Sequence, residues 1–322
     1  MGYSKKNVVA VQEEFEKKRN DYKAQRASRL FEVYDRCPEI MDIDKELSHV
    51  GLDIFGATMQ GKEGLEKRLQ ALRERNEELQ ARRASLLCDL GYDATYTDLK
   101  YDCPLCQDTG YQGVKMCSCL KSALTMKGYE SSGIINLLGS QSFESFSLDV
   151  YPQECRDIMK RNYKRLHRFA DNFDTTKDFL LLVGGTGLGK THLSTSVAKS
   201  LIDSGYDVVY EIAQNIFSDF DTDRFRDRYS DSELLSEKYL DCDLLIIDDL
   251  GTEIVTSYTV SYLYNIINTR INKKLPIIIS TNLSAKEIKN MYHERITSRL
   301  FGEFNIVKFD GTDIRQQKIT KK

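Results

Sequence analysis

From about residue 140 onward, short apolar runs alternate with longer amphipathic stretches. This is the rhythm of a parallel sheet whose strands are joined by helices. Five runs read as strands: Phe179–Val183, Val208–Ile212, Leu244–Ile247, Pro276–Ser280 and Ile306–Phe309. Such runs suit strands buried on both faces, and five of them with their crossovers predict one three-layer α/β domain. The first 98 residues follow another period. Val8, Val11, Phe15 and Tyr22 recur at helical spacing, with Leu30, Phe31 and Tyr34 extending the helix to a break at Cys37-Pro38. Leu65, Leu72, Leu79 and Leu86 are spaced by sevens, with Leu69, Asn76 and Arg83 between them. That predicts a second helix with a coiled-coil-like seam carrying polar residues. An antiparallel hairpin within the chain and a surface for a partner or for self-association both satisfy this seam. The expected organisation is a helical, partner-binding region over 1–98, a cysteine module over 99–122, a linker over 123–142 and the α/β domain over 143–322.

Two motifs give the α/β region its chemistry. Gly184-Gly185-Thr186-Gly187-Leu188-Gly189-Lys190-Thr191 fits G-x-x-x-x-G-K-[ST], preceded by an apolar strand and followed, from His192, by a helical pattern. Glycines let successive backbone N–H groups point at phosphate oxygens, and the helix N-terminus adds partial positive charge. Lys190 is expected to reach the β- and γ-phosphates, and the Thr191 hydroxyl to ligate Mg²⁺. The second motif is Leu244-Leu245-Ile246-Ile247-Asp248-Asp249, four apolar residues running into two carboxylates. A central strand ending there opens beside the phosphate loop. Asp248 is then the Mg²⁺ residue, and Asp249 the group that positions or activates an attacking water. Ser280-Thr281-Asn282 ends another strand, and Asn282 is a candidate to orient that water.

Cys103, Cys106, Cys117 and Cys119 follow the pattern C-x-x-C, ten residues, C-x-C, with Gly110 and Gly113 where the chain must turn back. Four thiolates at this spacing suit one tetrahedral, structural Zn²⁺ site. Cys37, Cys88, Cys155 and Cys242 are scattered and read as small apolar side chains. A net charge of −3 over 322 residues does not advertise nucleic-acid binding, so any DNA contact must use a local patch. One candidate is Arg224, Arg226 and Arg228 interleaved with Phe225 and Tyr229. Yet Asp219, Asp221, Asp223 and Asp227 crowd the same stretch and favour a solvated mixed-charge helix. No apolar stretch approaches the roughly eighteen residues of a membrane span, and the N-terminus leads into charged sequence, so a cytoplasmic protein is expected.

With the two motifs and Ser-Thr-Asn in that order, residues 140–322 resemble the AAA+ ATPases. More narrowly they resemble bacterial replicative-helicase loaders of the DnaC/DnaI type and their relatives, the IstB-type transposition ATPases. Ser142-Phe143-Glu144-Ser145-Phe146, Gly-Lys-Thr-His-Leu at 189–193, Ile-Asp-Asp-Leu-Gly at 247–251, Ile-Ser-Thr-Asn-Leu at 279–283 and Glu294-Arg295-Ile296-Thr297-Ser298-Arg299-Leu300 carry the likeness. The resemblance implies a slow Mg²⁺-dependent ATPase. It places an arginine finger at Arg299, or less well at Arg295, entering a neighbour's site on self-association. It sets Arg315 at the sensor position and leaves no room for a full lid domain before Lys322. Adenine rests on the resemblance too, since Asn272-Lys273-Lys274 stops short of a guanine-specifying N-K-x-D. A helical region and a cysteine module before the ATPase resemble the zinc-bearing loaders, which implies a replicative helicase hexamer and single-stranded DNA as partners. The alternative is a transposition helper acting on duplex DNA with a transposase.

Overall fold

A computed structural model describes residues 3–59, 65–137, 140–176, 178–226, 234–311 and 313–314. The chain divides into two compact units, Gln12–Cys119 and Met1–Val11 with Leu120–Lys322.

The first helix, α1 (Lys5–Arg36), is followed by α2 (Pro38–Met59) and α3 (Leu65–Asp89). Pro38 breaks α1 as expected, but it also opens α2, a helix the periodicity did not suggest. At the first helical position the missing N–H is no loss and the fixed φ is already helical. Leu72 and Leu79 pack with Ile43, Leu47 and Val50 of α2, and Leu86 shares their cluster. The heptad seam therefore meets another helix of the same chain. Arg82 pairs with Glu39 and Arg75 with Glu46, so residue numbers run in opposite directions and the hairpin is antiparallel. The polar seam residue Arg83 has its own partners: its Nε donates to Asp44 Oδ1 at 2.6 Å and an Nη to Thr97 Oγ1 at 2.7 Å. Tyr34 donates to the other Asp44 oxygen at 2.8 Å.

Two short strands, β1 (Tyr111–Gln112) and β2 (Lys115–Met116), form an antiparallel hairpin, after which α4 (Ser118–Ser132) begins. The stretch 123–142, expected to link two domains, is helical through Ser132. Its Tyr129 and Ile134 lie buried in the same core as Leu180 and Leu182.

The larger unit continues with α5 (Gln153–Asp171), β3 (Phe179–Val183), α6 (Lys190–Asp203), β4 (Val208–Ile212), α7 (Ala213–Arg224), α8 (Glu237–Asp241) and β5 (Leu244–Leu250). It ends with α9 (Ser257–Lys273), β6 (Ile277–Thr281), α10 (Ala285–Met291), α11 (Glu294–Gly302) and β7 (Phe304–Lys308). The sheet order is β4-β5-β6-β3-β7, and every pairing is parallel. Successive residues serve opposite faces. Leu180, Leu182, Ile246 and Ile278 meet α5 and α6, while Leu181, Leu245, Ile247 and Ile279 meet α7, α9 and α11. Helices thus cover both faces of a five-stranded parallel sheet. Arg270 of α9 is wholly buried, and its guanidinium donates to the carbonyls of Tyr239 at 3.1 Å and Pro276 at 2.8 Å. It thereby ties α9 to the carbonyls of α8 and of the residue before β6.

Strand β3 is followed in sequence by β4 on one side of it, and β7 returns on the other. The order therefore reverses at the C-terminal end of β3, where ligands bind in open parallel sheets.

Candidate functional site

The loop 184–189 leaves β3 at that point and turns into α6. Its glycines answer specific crowding. A Cβ on Gly184 would lie 2.3 Å from the Phe309 carbonyl oxygen. Gly189 sits at φ +92°, with the Tyr151 hydroxyl 2.5 Å from where a Cβ would be. Tyr151 is buried and donates to the Leu188 carbonyl at 3.0 Å, which fixes that peptide from beneath. Lys190 is 5 % exposed, and its ammonium donates to the carbonyls of Gly184 at 2.7 Å and Gly185 at 2.8 Å. Ile314 N donates to the Gly187 carbonyl at 3.1 Å, so the segment after β7 rests on the loop.

Strand β5 brings the carboxylates. A regular strand would send Asp248 and Asp249 to opposite faces. Here the register with β6 slips between Ile247 and Leu250, and Asp249 takes φ +53°. The bulge re-aims the pair. Asp248 is buried and reached by three hydroxyls. Thr191 Oγ1 donates to its Oδ2 at 3.1 Å, Tyr210 OH to the same oxygen at 2.6 Å, and Ser280 Oγ to Oδ1. Asp249 is exposed and lines the cleft, while its backbone N–H donates to Ser280 Oγ at 3.0 Å. Burial, together with the carboxylate it faces, raises the Tyr210 phenol well above its ordinary value, so it remains a donor. The turn beyond is fastened by Glu253, which accepts from Gly251 N at 2.8 Å and from the buried Tyr292 hydroxyl.

Between the loop and Asp249 lies a cleft of about 380 Å³. Gly187, Gly189, Lys190, Thr191 and His192 line it, with Ser145, Phe146 and Tyr151 forming a wall across from them. His192 Nε2 lies 2.9 Å from the Ser142 carbonyl oxygen, and Phe146 packs edge-on to its ring at 5.3 Å. The segment Ser142–Phe146 thus closes one side of the cleft through His192. Backbone donors, a buried cation and two carboxylates at one mouth can bind a polyphosphate and hydrolyse its terminal anhydride.

The structure gathers the loop, Thr191, His192, Asp248 and Asp249. Asn282 is exposed at the end of β6, and its neighbour Ser280 makes the bond to Asp248. Arg299 does not line this cleft. It lies half-buried on α11 with its guanidinium 5.8 Å from the Tyr264 ring, beside a separate depression that includes the exposed Arg295. Arg315 lies outside the described residues. Tyr210, Ser280 and Tyr151 were not anticipated. The apolar flanks of Tyr210 and the hydroxyls in Ser280-Thr281 were the available signals.

Two further places bear on function. The sulfurs of Cys103, Cys106, Cys117 and Cys119 lie within 4.8 Å of one another, with Cys103–Cys117 at 3.8 Å and Cys106–Cys119 at 3.4 Å. Gln107 and Asp108 take positive φ directly after Cys106, and the Asp108 carboxylate accepts from the N–H groups of Asp102 and Cys103, both at 2.9 Å. This turn holds the first pair of thiols facing the second. At the end of α7, Arg224 stacks on Tyr258 at 3.7 Å and lies 5.1 Å from the Phe225 ring. Phe225 is 78 % exposed and Ile254 equally so. The acidic residues that crowded this stretch have internal partners. Asp219 accepts from Tyr239 OH and Lys238, Asp221 from Tyr262 OH, and Asp223 from the N–H groups of Leu235 and Ser236. Asp227, Arg228 and Tyr229 lie outside the described residues. Among the described residues no helix is long and apolar enough to cross a membrane.

The phage-like element PBSX protein XkdC of Bacillus subtilis strain 168 is 27% identical over 239 residues, 70% of this chain and 87% of that protein. The replicative helicase loader DnaC of Escherichia coli K12 is 26% identical over 172 residues, 53% of this chain and 67% of that protein. A crystal structure of the DnaC helicase loader aligns over 52% of this chain and 96% of its own, at 21% identity and a TM-score of 0.45. The model of the IstB-like ATP binding protein family matches residues 142–321, more than half of the chain, and includes the phosphate loop, Asp248 and Asp249. The chain accordingly belongs to the IstB-like ATP binding proteins and is an AAA+ ATPase.

Proposed function

We propose that this protein is an ATP-driven loader that grips a replicative DNA helicase hexamer in the cytoplasm and helps place it on single-stranded DNA. The observation that carries the reading is that the nucleotide cleft and the arginine–aromatic cluster of Arg224, Phe225 and Tyr258 lie in one unit, with the nearby carboxylates turned to internal partners. Basic residues stacked with exposed aromatics suit single strands, whose backbone they attract and whose bases they stack. The likeness to a protein named replicative helicase loader supports the helicase as partner.

In this reading the loop N–H groups and Lys190 hold the ATP phosphates. Thr191 and Asp248 fit Mg²⁺, a hard ion that takes a hydroxyl and a carboxylate and would neutralise charge on the phosphates. Asp249 orients a water on the γ-phosphorus and takes its proton, as the bond from that phosphorus to the ADP oxygen breaks. Asn282 stands at the same strand end as a further water-orienting group. Because Arg299 lies away from its own cleft, it serves a neighbouring copy on self-association, with Arg295 as the second candidate and Arg315 as the sensor. The four cysteines hold a structural Zn²⁺. Sulfurs about 2.3 Å from a tetrahedral ion would stand about 3.8 Å apart; Cys103 and Cys117 have that separation, and Cys106 and Cys119 lie closer, at 3.4 Å. The domain assignment proposed is 1–98 for helicase binding, 99–122 for zinc and 143–322 for the ATPase.

The match to the IstB-like family supports a second reading, a transposition helper acting on duplex DNA with a transposase. A pull-down of the source organism's replicative helicase by the full chain and by residues 120–322, which keep Tyr129 and Ile134 in the ATPase core, with and without ATP, separates them. Capture that requires the N-terminal region is the expected result. No capture in either nucleotide state, with tight duplex binding, would move the assignment to the transposition helper.

A further inference from the structure

Three hydroxyls restrain Asp248, and two of them, from Tyr210 and Ser280, come from outside both nucleotide motifs. Tyr210 is 6 % exposed in the middle of β4. In the parallel register Tyr210 stands opposite Ile246, two residues before Asp248 and on the same face of β5. Two residues of strand span about 6.6 Å, the reach of a phenol side chain leaning along the sheet. Its hydroxyl arrives at Asp248 Oδ2 at 2.6 Å, closer than Thr191 Oγ1 at 3.1 Å. Ser194 Oγ lies 3.4 Å from the same phenol oxygen.

A phenylalanine would fill this part of the core equally well. A buried hydroxyl costs free energy unless it is bonded, so its presence here is explained by the carboxylate. The donors are also unequal in kind. Thr191 is asked to serve a metal ion as well as Asp248, and its position depends on the loop. Tyr210 is anchored in the sheet and has no second duty toward the nucleotide. Partners of this sort, one bond removed from an ion, set the orientation of the group that holds it.

From this juxtaposition we infer that Tyr210 is a positioning residue that holds Asp248 oriented for Mg²⁺, so that the ion binds a carboxylate already in place. The inference rests on the reading of Asp248 as the Mg²⁺ residue. Tyr210 does not line the cleft and acts through Asp248.

The test uses the full chain as wild type, Tyr210→Phe and Asp248→Asn. Binding of a fluorescent ATP analogue is titrated with Mg²⁺ and, separately, measured in EDTA, and Tm is recorded for each protein. Tyr210→Phe is expected to raise the Mg²⁺ concentration at half-effect by about 10-fold, leaving metal-free affinity and Tm near wild type. A Tyr210→Phe titration that overlays wild type, while Asp248→Asn is displaced, overturns the inference. So does a Tyr210→Phe protein that loses Tm and binds equally poorly with and without Mg²⁺, since the hydroxyl is then structural alone. An Asp248→Asn titration that overlays wild type overturns the reading of Asp248 itself, and the inference with it.

Discussion

Asp249 occupies the left-handed region at φ +53°, which a side chain adopts at a cost and which Asn and Asp tolerate best. The conformation is held by its own N–H bond to Ser280 and by the slipped register of β5 on β6. This makes Asp249→Asn the replacement that changes the charge and spares the backbone. It is expected to keep ATP binding and Tm while lowering hydrolysis by at least about 100-fold. Nucleotide affinity and phosphate release measured on one preparation check it. Retained hydrolysis would remove Asp249 from the chemistry. Loss of both binding and Tm would mean that the carboxylate is needed for the turn.

At the scale of elements, the cysteine module stands on a few bonds. The hairpin β1–β2 is two residues per strand, and the turn at Gln107–Asp108 is strained. So small a piece lacks the buried area to hold itself, and a metal supplies what the core does not. The purified chain is expected to carry about one Zn²⁺, and removing it with a chelator is expected to expose 99–122 to protease while ATP binding persists. Metal analysis with limited proteolysis checks this, and a metal-free module with unchanged protection would refute it. Elements of this kind differ in how far the sequence announces them. The five strands were legible because uninterrupted apolar runs bounded by polar turns have few other uses. Helix α2 was not, because a proline after a helical run marks a stop as readily as the first turn of a new helix. Tyr129 and Ile134 looked like parts of a linker because their partners, Leu180 and Leu182, lie some fifty residues away. The phosphate loop and the acidic pair were legible as local spacings. Tyr210 and Ser280 became visible only when the sheet register set them beside Asp248.

For the whole molecule, a net charge of −3 gives a weak overall field, so any nucleic-acid affinity must be local. The pairing of Asp219, Asp221 and Asp223 with Tyr239, Tyr262 and backbone N–H groups leaves Arg224 and Phe225 to face solvent. Arg224→Ala with Phe225→Ala is expected to weaken binding of a fluorescent oligo-dT by about 10-fold or more, with ATP hydrolysis in the absence of DNA unchanged. Fluorescence anisotropy at two salt concentrations checks it, and unchanged affinity would place the DNA elsewhere.

The grip of Lys190 on the carbonyls of Gly184 and Gly185 has a consequence for kinetics. An incoming phosphate does not simply add bonds to a waiting cation; it competes for one that already has partners. Part of the attraction is therefore cancelled on arrival. The same carbonyls take the ammonium back on departure, so leaving does not strand a charge in a site with 5 % exposure. Affinity is moderated and exit is eased by one pair of carbonyl oxygens.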